Sequence, residues 1–260
     1  MNPKLLILIC IASVSLASDL VAEATNVAED DASHSAYGTA WENGKNGGSG
    51  FGPWTLTNEG DGTERHAGFF IGETKNNPDL LGAAKNDKAF GLYANGVGFE
   101  QAVAYRGFEK PLQVGDSFSF VMETGQFEKK FDKEDQPPGS IGLVLRSSNA
   151  NSSVADYNKD AVFEFGFYQG KGTYQIFEGS GEGADSGVVL DDSGVAVTVT
   201  ITGAGTYDLE IQTLKDKKLT KMAGRKFKSG DPIQSFALFD RNGEKNDTFF
   251  NQFQVTREAK

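Results

Sequence analysis

Four carboxylates stand where acid–base chemistry could be done: Glu123, Glu164, Asp208 and Glu210. Asp208 and Glu210 lie two apart in "YDLEI", which on a strand sets them on one face about 6.7 Å apart. At that separation one carboxyl can protonate a glycosidic oxygen while the other activates water. Exposed strand faces are also routinely charged, so the same pair fits a plain solvent face. Glu164 sits between Phe163 and Phe165 in "VFEFGFYQG", with Tyr168 on its own face. With Arg146 near it from another strand, that group suits a sugar site on a concave sheet. Histidine chemistry finds no support. The chain has two histidines, His34 and His66, whereas a Ser-His-Asp arrangement or a His-rich zinc site needs imidazole held by defined partners.

A structural Ca2+ is the one metal the sequence admits. "DRNGEKND" offers Asp240, Asn242 and Glu244 in alternation, as at the start of an oxygen-ligand loop. Lys245 occupies the position where an EF-hand requires glycine, and Asn251 the position of its bidentate glutamate, so an EF-hand is excluded. For stacking on sugar rings the aromatic candidates are Trp41, Trp54, Tyr93, Tyr105 and Tyr168. Two of them bracket "WENGKNGGSGFGPWTL". A phosphate loop would place its glycines before Lys-Ser/Thr and a helix; here Lys45 precedes most of the glycines and "PWTLTNEG" reads as strand. Asn43-Gly44 and Asn46-Gly47-Gly48 are turn sequences that tolerate positive φ. The stretch reads as a structural corner first and a ligand rim second.

The elements that must position these residues repeat with period two. Phe118, Phe120 and Met122 alternate in "GDSFSFVMETG"; Ile141, Leu143 and Leu145 share one face, as do Phe163, Phe165 and Phe167. "VAVTVTITGAGTYDLEIQTL" is a hairpin turning at Gly203-Ala204-Gly205. This is the pattern of half-buried antiparallel strands. With turn residues between strands and no long amphipathic helix, it predicts an all-β, antiparallel two-sheet β-sandwich, jelly-roll-like, around a Phe-rich core.

"MNPKLLILICIASVSLAS" has a basic start, an apolar run and small residues before a cleavage point, the pattern of a secretory signal peptide over 1–17. Cleavage after Ala22 also fits. The apolar run is too short to span a bilayer comfortably, so no transmembrane segment is expected in the mature chain. The only cysteine, Cys10, leaves with the signal, which removes disulfides and thiol chemistry. Residues 18–35 read as a flexible acidic leader and 36–260 as one β-sandwich domain, large enough to hold by core burial alone. A formal charge of −11 and the lack of a basic stripe exclude a nucleic-acid partner.

"AYGTAWENGKNGGSGFGPWTL", "HAGFFIGE", "KAFGLYANG", "AYRGFEKPLQVGDSFSF" and "VTVTITGAGTYDL" together resemble a group of exported bacterial β-sandwich proteins of jelly-roll, concanavalin-like architecture. The resemblance covers roughly residues 36 to 256; it implies fold and compartment and carries no activity or catalytic residue. Laminarinase-like jelly rolls have Glu-x-Asp-x-x-Glu on one strand. Glu123 and Glu128 match two of those positions, but Gly125 stands where Asp is required. The leading expectation is therefore an exported, non-catalytic protein that binds a polysaccharide or cell-surface glycan. An interaction protein of the envelope or extracellular matrix comes second, and a polysaccharide hydrolase or lyase third.

Overall fold

The computed structural model describes residues 24–60, 66–95, 98–124, 139–149, 157–178, 183–242 and 247–258. The expected signal peptide, Gly125, Glu128 and Glu244 lie outside these residues. Among the described residues every regular element is a strand, and the fifteen strands form two antiparallel sheets. One sheet runs in the order β13 (Leu219–Lys226), β12 (Thr206–Thr213), β11 (Val195–Gly203), β6 (Asp116–Thr124), β15 (Thr248–Arg257), β4 (Lys88–Ala94) and β3 (Ala67–Glu73). Its eighth strand, β1 (Thr25–Asp30), also pairs with β15. The seven-stranded sheet runs β10 (Ala184–Val189), β9 (Thr173–Phe177), β8 (Ala161–Tyr168), β7 (Ser140–Arg146), β14 (Ile233–Arg241), β5 (Glu100–Leu112) and β2 (Phe51–Gly60). No helix among the described residues is long and apolar enough to cross a membrane.

The alternation read from the sequence is the alternation of burial. Phe118, Phe120, Met122 and the valines of β11 meet Ile141, Leu143, Leu145, Phe163, Phe165 and Phe167 in one buried core between the sheets. The fold is the expected all-β, two-sheet antiparallel sandwich. Each sheet also carries a smaller apolar cluster on its outer face: Val103, Tyr105, Val144, Tyr157, Ala237 and Phe239 on the seven-stranded sheet, and Leu80, Ala83, Ala89, Val121 and Phe249 on the eight-stranded one.

Of the leader expected over 18–35, the described part, residues 24–35, contributes a strand to the fold. Thr25–Asp30 is a strand in register with Phe253–Arg257, and Ala28 and Asp30 are buried. β15 changes partner to admit it. Thr248–Phe250 pair with β4, Phe253–Arg257 pair with β1, and the exchange falls at Gln252, whose φ is +54°. A bulge of this kind bends a strand so that two neighbours can share one side of it.

The glycine stretch 41–56 is the corner that receives β1. A Cβ on Gly48 would lie 1.9 Å from the Glu29 carbonyl oxygen, and one on Gly50 would lie 2.5 Å from that of Val27. Both glycines hold positive φ, +69° and +75°, a region that costs side-chain-bearing residues energy. Behind the corner Arg106, fully buried, binds Asp30 with Nη1, Asn46 Oδ1 at 2.7 Å and the Gly47 carbonyl at 2.8 Å with Nη2, and the Gly52 carbonyl at 2.9 Å with Nε. Its guanidinium also stacks 4.8 Å from the Phe51 ring centre and 4.7 Å from that of Trp54. One side chain thus joins β1, the corner, β2 and β5.

Candidate functional site

The expected site residues do not form one constellation; they divide among the core and two opposite faces. Trp41 and Trp54 are core residues rather than exposed stacking platforms. Both are buried, their rings meet edge to face at 5.0 Å, and Trp54 Nε1 donates to the Tyr37 hydroxyl at 3.1 Å. Burial removes the large apolar surface of both rings from water; the Trp54 ring N–H has a partner there, while Trp41 Nε1 has none among the described residues. Tyr105 is likewise fully buried, under the Arg146 guanidinium at 4.9 Å. Tyr93 is half-buried on the outer face of the eight-stranded sheet. It pairs across from Gly68, and its ring covers the space a Cβ would take there.

Glu123, Asp208 and Glu210 also face outward on the eight-stranded sheet, and each is tied to the protein itself. Glu123 is fully buried and accepts backbone N–H bonds from Leu81 at 2.5 Å, Gly82 at 2.8 Å and Ala83 at 2.6 Å. It anchors the segment after β3 onto the sheet. Burial pushes its carboxyl above the ordinary range, and the three donors pull it back. Asp208 accepts the Gly224 N–H at 2.7 Å, while Glu210 pairs with Lys221. These are the roles of a charged strand face next to an edge strand. The Ca2+ expectation fares similarly. Asp240 is buried and accepts the Thr248 hydroxyl at 3.0 Å; Asn242 Oδ1 accepts the Glu100 N–H at 2.8 Å. Among the described residues no group of three or more His, Cys, Asp or Glu could hold a metal ion.

The outer face of the seven-stranded sheet is different. Register places Tyr105, Ala237, Val144, Glu164 and Phe177 in one row across five strands. The next row holds Val103, Phe239, Gly142, Gly166, Gln175 and Asp185, and beyond it Arg241, Ser140 and Tyr168 line up. Arg146 extends the other side, beside Ala161. Glycines at 142 and 166 leave no Cβ in the middle of the face because the paired backbones approach too closely for one; a Cβ on Gly142 would lie 2.4 Å from the Phe165 carbonyl. Tyr157, in the turn before β8, lies over Phe239 at 4.6 Å. Phe177 and Tyr168 meet at 4.9 Å, both half-exposed.

Glu164 is the chemical centre of this face. It is 8 % exposed and accepts no hydrogen bond among the described residues. Burial pushes its carboxyl up to about 7, against the pull of Lys228. An ionised carboxylate there would be buried without a partner, which the low-dielectric surroundings oppose. Glu164 can therefore gain or lose a proton near neutral pH, as donor, acceptor, acid or base. Two-carboxylate hydrolysis is not assembled around it. The other described carboxylates that register places on this face are Glu59 on β2, four strands and two rows away or ~23 Å, and Asp185 on β10, two strands and one row away or ~12 Å. Both lie beyond the ~5–9.5 Å that paired catalysis uses.

Alternation in "VFEFGFYQG" sufficed to put Glu164 and Tyr168 on one face, and the structure adds Arg146 to it as expected. Gln175 and Phe177 were legible in "TYQIF" as the positions opposite Tyr174 and Ile176. Tyr157 and Arg241 carried no local signal, since only pairing and turn placement bring them here.

No protein-family model and no curated protein matches the chain. Solved structures with a similar arrangement include lectin II from Ulex europaeus (TM-score 0.40, 11 % identity, 85 % of this chain and 96 % of that one). Cellulose induced protein Cip1 gives a TM-score of 0.44 at 8 % identity, over 78 % of this chain and 90 % of that one. The VIP36 exoplasmic/lumenal domain, in its Ca2+/Man3GlcNAc-bound form, gives 0.42 at 10 % identity, over 80 % and 86 %. The sandwich assignment rests on the strand order and core packing above.

Proposed function

We propose that this protein is an exported, non-catalytic β-sandwich that binds glycans outside the cell or at its surface, through the outer face of the seven-stranded sheet. The observation that supports this is the setting of Glu164. A buried carboxyl with no hydrogen-bond partner among the described residues shares its face with half-exposed Phe177 and Tyr168, with Gln175 and with Arg241. Sugars present hydroxyls beside apolar ring faces, so they are bound by a few placed polar groups next to aromatic surface. Export follows from the signal-peptide pattern over residues 1–17, with the leading strand β1 entering the fold soon after it.

A glycan screen read by thermal unfolding tests the proposal, since a ligand that binds only the folded state raises the midpoint by mass action. Glycans should raise it in the wild type and in Glu210→Gln, which alters the opposite face, but not in Glu164→Ala, which removes the polar head, or in Phe177→Ser. The same shift in all four proteins would move the site elsewhere. A folded protein that responds to no glycan but retains envelope or matrix proteins would be the interaction protein instead. Turnover of a polysaccharide that vanishes in Glu164→Gln would establish a hydrolase or lyase. A Ca2+ arm belongs in the screen; a shift there that Asp240→Asn removes would support a structural ion at Asp240, Asn242 and Glu244.

A further inference from the structure

Building on the glycan-binding reading, we propose that the saccharide is acidic: a uronate whose carboxylate is held by a hydrogen bond from the Glu164 carboxylic acid, within the cationic surroundings of that face. The chain as a whole is acidic, at −11, yet the charged groups around Glu164 are mainly basic. Arg146 stands on β7 and Arg241 on β14. Lys159 is in the turn before β8, and Lys228 follows β13, where its backbone N–H binds the Val162 carbonyl of β8 at 2.8 Å. Against these stand Asp160, exposed in the same turn as Lys159, and Asp185 on β10, ~12 Å away by strand spacing. Arg146 is fixed by the carbonyls of Lys159 at 3.2 Å and Asn149 at 3.3 Å. Arg241 meets Tyr157, whose phenol burial pushes up to about 12, so it stays protonated and neutral at any working pH.

A protonated carboxyl has one O–H to donate, and no described residue accepts it. A neutral sugar hydroxyl could do so. A ligand carboxylate does it more strongly, because hydrogen bonds to an ionised acceptor are shorter and roughly twice as strong. It also brings the negative charge that basic neighbours favour and that an ionised Glu164 would repel. The sign of the pH dependence follows. Binding requires the proton on Glu164, so affinity is full where that group is protonated and falls about tenfold per pH unit once it ionises, since one proton is lost with the complex.

The test uses the full chain with galacturonate, mannuronate and glucuronate oligomers, each beside its carboxyl-reduced neutral counterpart, by calorimetry at pH 5.5, 7.0 and 8.5. The wild type should bind an acidic oligomer at pH 5.5 and lose at least tenfold in affinity by pH 8.5, with the neutral counterpart at least tenfold weaker at pH 5.5. In Glu164→Gln, which keeps a donor but cannot ionise, binding of the acidic oligomer should persist unchanged to pH 8.5. That variant also separates Glu164 from Asp247, which burial and Asp79 push up to about 6 and which titrates in the same window. Equal binding of the neutral oligomer, or affinity rising with pH, overturns the acidic inference while leaving the glycan reading standing. If no oligomer binds, charged or neutral, both fail. Should Glu164→Gln not fold, the wild-type pH slope and the charged-to-neutral ratio still decide.

Discussion

Replacing Arg106 with Met tests the account of how the fold closes. The guanidinium is wholly buried and serves five groups: Asp30, the Tyr37 hydroxyl, Asn46 and the carbonyls of Gly47 and Gly52. Met retains much of the apolar stem, so the loss is chiefly electrostatic. It strands Asp30, which is 4 % exposed, as a buried carboxylate with the Tyr37 hydroxyl as its one remaining described partner. Breaking a buried pair from one side costs ~3–5 kcal/mol. In a chain of this size each kcal/mol moves the melting midpoint by about 2–4 °C, so a fall of ~6–20 °C is expected. Removing both charges in Asp30→Asn/Arg106→Met should recover ~1–3 kcal/mol relative to the sum of the single variants, because the stranded charge disappears. Urea unfolding followed by tryptophan fluorescence suits the question: the only two tryptophans, Trp41 and Trp54, lie in this cluster. A single-variant loss below ~1 kcal/mol, or additive losses in the double variant, would refute the hub.

Three further outcomes follow from the same packing. Gly48→Ala meets the Glu29 carbonyl at 1.9 Å and must hold φ +69°; it should destabilise by more than the ~1 kcal/mol of a simple Gly→Ala mismatch and release β1, seen as faster amide exchange over 25–30. Glu164 has a folded-state affinity for protons raised from the ordinary 4.5 to about 7, so its contribution is favourable while it is protonated and is lost as pH climbs from 4.5 through 7. With about 1.4 kcal/mol per unit, Glu164→Gln should gain on the order of 3 kcal/mol over wild type between pH 4.5 and 8 in paired denaturant titrations, and parallel curves would contradict the burial argument. Glu123→Gln leaves one of the three N–H donors of residues 81–83 without an acceptor, costing ~1–3 kcal/mol. Limited proteolysis should then cut near Leu81, already 61 % exposed, before the sheets unfold; equal protection in both proteins would argue against the anchor.

Period two in the sequence carried the fold class and the facing of individual strands. Once Phe163, Phe165 and Phe167 point inward, Glu164 and Tyr168 must point outward, because side chains alternate on a pleated backbone. The corner at 41–56 was equally legible, since turn chemistry is local. Alternation says which way a residue points and is silent on what lies over it. Glu123 and Glu164 are both outward-facing glutamates on interior strands, and nothing local distinguishes them. The tertiary structure lays three N–H groups on one and no described donor on the other, which makes the first an anchor and the second a proton site. β1 escaped the sequence for a related reason. An acidic segment with no apolar stripe reads as solvated, and its burial depends on Arg106, 76 residues from Asp30 along the chain. Charge compensation and coverage are long-range quantities, decided only when the sheets are paired and packed.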